Sequence, residues 1–240
     1  MLSERPPLPM STAEPSSAQS SVLEPTLREG LARLGLSLPQ LASTRLLAYL
    51  HLIAQWNKVY NLTAIRDPAA MLTQHLLDCL AIVPALRRGL AGQGRELAAT
   101  RRVLDVGSGA GLPGVVLAIC EPGWQVTCVD AVAKKASFIR QVAAELGLPN
   151  LQASHQRVEA MPGQYDLITS RAFATLADFV TLTQDRLAPG GCWAAMKAHL
   201  ADEERRAVLA DVDVFHVEPL VVPGLDAARC LVWMRPRVGH

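Results

Sequence analysis

What this 240-residue chain lacks narrows it first. Its 23 Lys and Arg stand against 22 Asp and Glu, leaving a net charge of only +1. That excludes a global basic field, so attraction to a polyanion has to come from local patches and has to be salt-sensitive. It also lacks paired cysteines. Cys79, Cys120, Cys128, Cys192 and Cys230 are odd in number and include no C-x-x-C spacing, which argues against a disulfide frame or a zinc site. No metal is expected. Small thiols inside apolar runs are ordinary core residues, and a reducing cytoplasm suits them. No apolar run reaches the ~18 residues that a membrane span needs. No apolar stretch follows the few N-terminal charges, as a secretory signal would require.

What is there is ample core material. Half of the residues are hydrophobic, enough for one large α/β domain with a small extension. Residues 1–20, rich in Pro, Ser and Ala, bury too little to offset ordering entropy and are expected to form a disordered tail. Helical spacing begins near Leu23, with Leu27, Leu31 and Leu34 on one face and a stop at Gly35. A second helix is predicted from Pro39 to Trp56. After it, Trp56 to Thr63 reads as a turn tied by side-chain hydrogen bonds. Pro68 opens a third helix, on which His75 and Asp78 share a face. The commoner explanation for such a pair is a half-buried histidine held by a neighbouring acid. Gly89 to Thr100 reads as a linker. The expected organisation is a helical N-terminal subdomain over residues 21–95 and a nucleotide-type domain over 96–240.

The organising stretch is Val103-Leu-Asp-Val-Gly-Ser-Gly-Ala-Gly-Leu-Pro-Gly114. It reads as a buried strand, a glycine-rich turn and the first turn of a helix containing Pro113. Free N–H groups at that helix start would suit polar or anionic ligand atoms. Gly109 to Gly114 fits the dinucleotide pattern G-x-G-x-x-G, with Asp130 at the distance of a ribose-binding acid. Asp105, however, would repel a pyrophosphate and favour a cationic ligand such as S-adenosylmethionine. It could instead only cap the loop through backbone N–H groups. Asp130 could likewise cap the helix that starts near Ala133. That helix, Lys134 to Leu146, turns Phe138, Ile139 and Val142 inward and Lys134, Lys135 and Arg140 outward.

Further strands are predicted at 124–130, 151–153, 165–170, 192–196, 212–222 and 228–234. A helix is expected over 176–187, ended by Pro189-Gly190-Gly191, and another over 201–210. Strand and helix alternate until the last two strands, which suits a mostly parallel sheet with one reversed strand. Ligands bind such sheets beyond the carboxyl ends of the strands. The glycine loop, Asp130, Val158-Glu159 and Arg171 would all emerge there, and an arginine at that rim can hold a carboxylate or phosphate.

Five segments together carry a resemblance: Trp56-Asn-Lys-Val-Tyr-Asn-Leu-Thr63, His75-Leu-Leu-Asp78, Val103 to Gly114, Arg157-Val-Glu159 and Ser170-Arg-Ala-Phe-Ala174. In this order, and across 23–234, the chain resembles the RsmG family of bacterial rRNA methyltransferases, also called GidB. The resemblance implies a class I S-adenosylmethionine-dependent methyltransferase fold: a Rossmann-like, seven-stranded, mostly parallel sheet with a helical N-terminal cap. It implies methylation of guanine N7 in 16S rRNA near the decoding centre, in the cytoplasm, with no membrane and no stable protein partner. It places cofactor contacts on Gly107, Leu112, Val158, Glu159 and Arg171, to which the residue pattern adds Asp130. No general base is expected, because guanine N7 carries a lone pair and no proton. Arg171, Lys197, Lys134 and Lys135 are candidates for RNA contact. Methylation of a protein or small molecule, or nicotinamide-dependent redox chemistry, remain as alternatives at this stage.

Overall fold

In the computed structural model, residues 17–91, 100–171, 173, 175–208 and 210–237 are described, with side chains from residue 22 onward. Among them, helices α1 (Ser17–Arg33), α2 (Gln40–Tyr60) and α3 (Pro68–Ala91) precede the sheet. Then β1 (Arg102–Val106), α4 (Gly114–Cys120), β2 (Gln125–Asp130), α5 (Ala133–Glu145), β3 (Leu151–His155) and β4 (Tyr165–Ser170) follow in turn. The chain continues through α6 (Leu176–Thr183), β5 (Leu187–Lys197), α7 (Asp202–Ala207), β6 (Val212–Leu220) and β7 (Arg229–Pro236). The strands form one sheet in the order β3-β2-β1-β4-β5-β7-β6. The first five pair in parallel, and β7 runs antiparallel to both β5 and β6. The expected single reversed strand is therefore β7.

Alternate strand residues feed opposite cores, as the pleat dictates. Val103 belongs to one apolar cluster, and Leu104 and Val106 to the other. The first cluster is continuous with α1, α2 and α3 and takes in Leu27, Leu46, Ile53, Leu72, Phe138 and Trp233. Each such buried side chain contributes about 1.5–3 kcal/mol through removal from water. Helix α3 is long and apolar enough to cross a membrane by composition, contrary to the run-length reading, but 72% of its apolar window is buried inside the protein. Thr73, Gln74, His75 and Asp78 interrupt the run without lowering its average hydropathy enough to fail that test. It is a core helix.

Some boundaries differ from expectation, each for a local reason. Residues 17–20 already belong to α1, and the rest of the expected tail lies outside the described residues. Helix α2 runs on to Tyr60 and closes at Asn61, whose φ of 49° is left-handed. The turn lies beyond it. There Asn57 Oδ1 accepts from Thr63 N at 2.9 Å, and Asn57 Nδ2 donates to Ile65 O at 3.2 Å. Gly89 is helical, packed so closely on Trp233 that a methyl group would collide with the indole; 92–99 lie outside the described residues. Helix α6 stops at Thr183, where the Thr183 hydroxyl turns back on Phe179 O and accepts from Trp193 Nε1 at 2.9 Å. Leu187 then opens β5, so Pro189-Gly190-Gly191 falls inside a strand, beside a register shift between Tyr165 and Leu167.

Candidate functional site

The site begins where β1 gives way to its glycine loop. Gly107 turns the chain with a φ of 64°, and its N–H donates to Val129 O on the neighbouring strand at 2.9 Å. Asp130, at the end of β2, closes the loop from the side. Its Oδ2 accepts from Gly109 N at 2.9 Å and its Oδ1 from Val132 N at 2.8 Å. Lys135 Nζ stands 3.8 Å from Oδ2. From α2, the Tyr49 hydroxyl donates to Ala110 O at 2.6 Å and fixes the far side of the loop. The space over the loop is open: an added Cβ at Gly107 would meet nothing within 4 Å. Asp130 therefore both shapes the loop and keeps one further lone pair on each oxygen beside that opening.

Asp105 lies beneath the loop, fully buried. Its Oδ2 accepts from Gly114 N at 2.8 Å, with Cys128 Sγ at 3.8 Å, and its Oδ1 has no hydrogen-bond partner. Burial pushes its pKa up to about 7, against the opposing pull of the Gly114 N–H and of Arg171. Asp105 thus ties down the first N–H of α4 with one oxygen and has the other left over. Pro113 sits one residue before α4, at its N-cap, and the Gly114 N–H is already taken. The anion-binding helix start expected from the sequence is therefore corrected: its leading donor serves a buried carboxylate.

Val158 and Glu159 fall on a 3-10 turn, Val158–Ala160, after β3. Val158 is buried in the same cluster as Val106 and Val129, which brings it under the ends of β1 and β2. Glu159 is exposed, with its carboxylate 3.4 Å from Arg157 Nε. Leu112 is buried in the other cluster, so its side chain serves the core and only its backbone borders the loop. Arg171 leaves the end of β4 and reaches across to α3. Its Nη1 donates to Gln74 O at 3.0 Å and stands 3.5 Å from Asp78 Oδ2.

This reach explains a correction. His75 and Asp78 are both buried, but they do not hold each other. His75 Nε2 bonds Thr63 Oγ1 at 2.9 Å, and Asp78 Oδ1 accepts from Arg229 Nε at 2.9 Å. The cause is a π-helical turn at Leu72–Leu77, which breaks the simple one-turn spacing. Burial, followed by the charge of Arg171, lowers the His75 pKa to about 4, so its ring is neutral at pH 7. Arg229 carried no signal in the sequence; it lies 151 residues from Asp78 and meets it only through β7. Of the other basic candidates, Lys134 is exposed and Lys197 Nζ pairs with Glu204 at 2.6 Å.

The sheet order, its reversed β7 and the glycine loop closed by a strand-end acid define the fold of the class I methyltransferases. Solved structures agree on the fold. TrmN from Thermus thermophilus superposes with a TM-score of 0.51 at 19% identity, over 69% of this chain and 53% of that one. A ribosomal protein L11 methylase from Lactobacillus delbrueckii subsp. bulgaricus gives 0.50 at 16%, over 68% and 77%. The family model described as GidB, rRNA small subunit methyltransferase G, matches residues 42–232, and the chain belongs to that family. Among its relatives, the ribosomal RNA small subunit methyltransferase G of Acidovorax ebreus (strain TPSY) is 56% identical over 92% of this chain and 99% of its own. The protein of the same name from Leptothrix cholodnii is 60% identical over 88% and 95%.

Proposed function

We propose that this protein transfers a methyl group from S-adenosylmethionine to N7 of one guanine in 16S rRNA, near the decoding centre. Its partner is then the small ribosomal subunit or its precursor, and its place is the cytoplasm. Residues 96–240 hold the cofactor in this reading, and the helical residues 21–95 form a cap beside the acceptor.

One observation carries the cofactor assignment. An open space over Gly107 is flanked by the Asp130 carboxylate and underlain by Asp105, whose Oδ1 is unpartnered. A ligand with ribose hydroxyls and positive charge suits these acceptors, whereas a pyrophosphate meets carboxylates and a helix start already in use. When bound, S-adenosylmethionine supplies a methyl group activated by its sulfonium. Gly107 and Leu112 would border it with backbone, and Asp130 would accept from its ribose. Val158 and Glu159 would flank its base, and Arg171 would stand at the rim between it and the acceptor.

Held by these residues, S-adenosylmethionine would give up its methyl group with the C–S electron pair staying on sulfur, and the N7 lone pair would supply the new N–C bond. No proton leaves N7, so the chain needs no general base. Its residues orient two bound partners, and orientation alone accounts for much of the barrier reduction in such a reaction. Transfer of labelled methyl groups to purified small subunits, followed by mass mapping of the modified nucleotide, tests the proposal. Label on a single guanine supports it; label on protein, or none, overturns it.

A further inference from the structure

Beyond the glycine loop, a second cavity of about 360 Å³ opens at the carboxyl ends of β4 and β5. Its walls include Gln74, His75 and Asp78 of α3, Arg171, Lys197 and Arg229. That volume is within the range of small-molecule sites. Arg171, at the end of β4, lines this cavity.

The polar groups here are arranged around Asp78. Arg229 Nε holds its Oδ1 at 2.9 Å, and Arg171 Nη1 stands 3.5 Å from its Oδ2. Arg229 is itself anchored through Nη1 to Ala228 O at 2.9 Å, and Arg171 to Gln74 O at 3.0 Å. The carboxylate is therefore fixed in direction, with its side chain only 5% exposed. An ionised carboxylate offers about four acceptor positions, and two are in use. Next to it, the buried His75 ring leaves Nδ1 without a hydrogen-bond partner.

We propose that this cavity receives the acceptor guanine and that Asp78 is its specificity-determining residue, accepting from N1–H and the N2 amino group. The inference rests on the function proposed above and names how that same site selects its substrate. Guanine presents two adjacent donors on its Watson–Crick edge, matched to one carboxylate. Adenine presents an acceptor there, which the carboxylate repels. Bases taken out of the stack are read on this edge. Holding guanine by it leaves N7, on the opposite edge, free for methylation. The two arginines aim Asp78, and their remaining N–H groups are left for acceptor oxygens of the nucleotide.

The test is a titration of the full chain, saturated with S-adenosylhomocysteine, with guanosine, inosine and adenosine monophosphates. Guanosine monophosphate is expected to bind at about 1 mM or tighter. Inosine monophosphate, which lacks the amino group, should bind about tenfold more weakly, and adenosine monophosphate more weakly still. Asp78→Asn should remove the preference for guanosine while S-adenosylhomocysteine still binds. Equal binding of the three nucleotides, no binding of guanosine monophosphate, or a preference that survives in Asp78→Asn overturns the inference. If Asp78→Asn fails to fold, the wild-type ranking decides alone. Small subunits that are methylated by a chain showing no nucleotide preference would sink only this inference. Small subunits left unmethylated would sink the proposed function instead.

Discussion

The N–H of Gly114 donates to Asp105 Oδ2 at 2.8 Å, while the other oxygen of that buried carboxylate has no partner. One hydrogen bond thus ties the first helix after the glycine loop to the strand before it. Only glycine fits at 114, since a Cβ there would run into Cys128 Sγ and Asp105 itself. The half-satisfied acid is costly to keep charged without a ligand, and this has consequences for pH.

Asp105 is protonated more readily in the folded chain, at about 7, than at its ordinary 3.8. Between those values the folded state holds more protons than the unfolded one, so this group lowers stability as pH rises. Asp105→Asn is therefore expected to be more stable than wild type at pH 8, by up to a few kcal/mol at ~1.4 kcal/mol per pKa unit. The same variant should bind S-adenosylmethionine more weakly. Urea unfolding at several pH values, paired with calorimetric titration, checks both; equal stability at pH 8 contradicts the account.

His75 acts in the opposite sense. Its folded pKa of about 4 lies below the ordinary 6.5. As pH falls through that window the unfolded chain takes up the proton first, and stability is lost. His75→Gln should remove this loss. With only the Asp105 slope remaining, its stability should decline from pH 4.5 to 6.5, whereas Asp105→Asn should gain over the same interval. Wild type should be the flattest of the three in the same unfolding series.

Arg171→Ala deletes the group proposed to stand between cofactor and acceptor, and leaves Asp78 with Arg229 alone. Methyl transfer to small subunits is expected to fall about a hundredfold or more, the scale of a small misplacement of reacting groups. Arg171→Lys keeps the charge without the planar fork and should recover little. Undiminished transfer by the alanine variant would remove Arg171 from the site.

Asn150 provides a control away from the chemistry. Its buried Nδ2 donates to Ala118 O and Trp124 O at 3.0 Å and to Glu121 O at 3.3 Å, closing the turn between α4 and β2. Asn150→Ala removes all three bonds, leaving Glu121 O with the Trp124 N–H alone, and should cost about 1–3 kcal/mol. Affinity for S-adenosylmethionine should not change once folding is corrected for. A matching loss of affinity would mean that this turn shapes the cofactor loop.

Local chemistry made much of this legible in the sequence. The run Val103 to Val106 must bury both faces, the glycines after it must turn, and Asp130 ends an apolar strand, so the loop and the strand-end acid could be read from neighbours alone, but the bond from Gly109 N to Asp130 could not, because it joins two strand ends 21 residues apart. Alternation of strand and helix fixed the parallel part of the sheet, and two successive strands at the end required a reversal. Periodicity could not show the π-helical turn of Leu72–Leu77, because one inserted residue leaves the apolar stripe nearly intact while rotating Asp78 away from His75. Nor could it show Arg229 against Asp78. That contact forms only when β7 is laid between β5 and β6, an arrangement fixed by the apolar clusters packed on the two faces of the sheet and not by any preference of the residues beside Arg229.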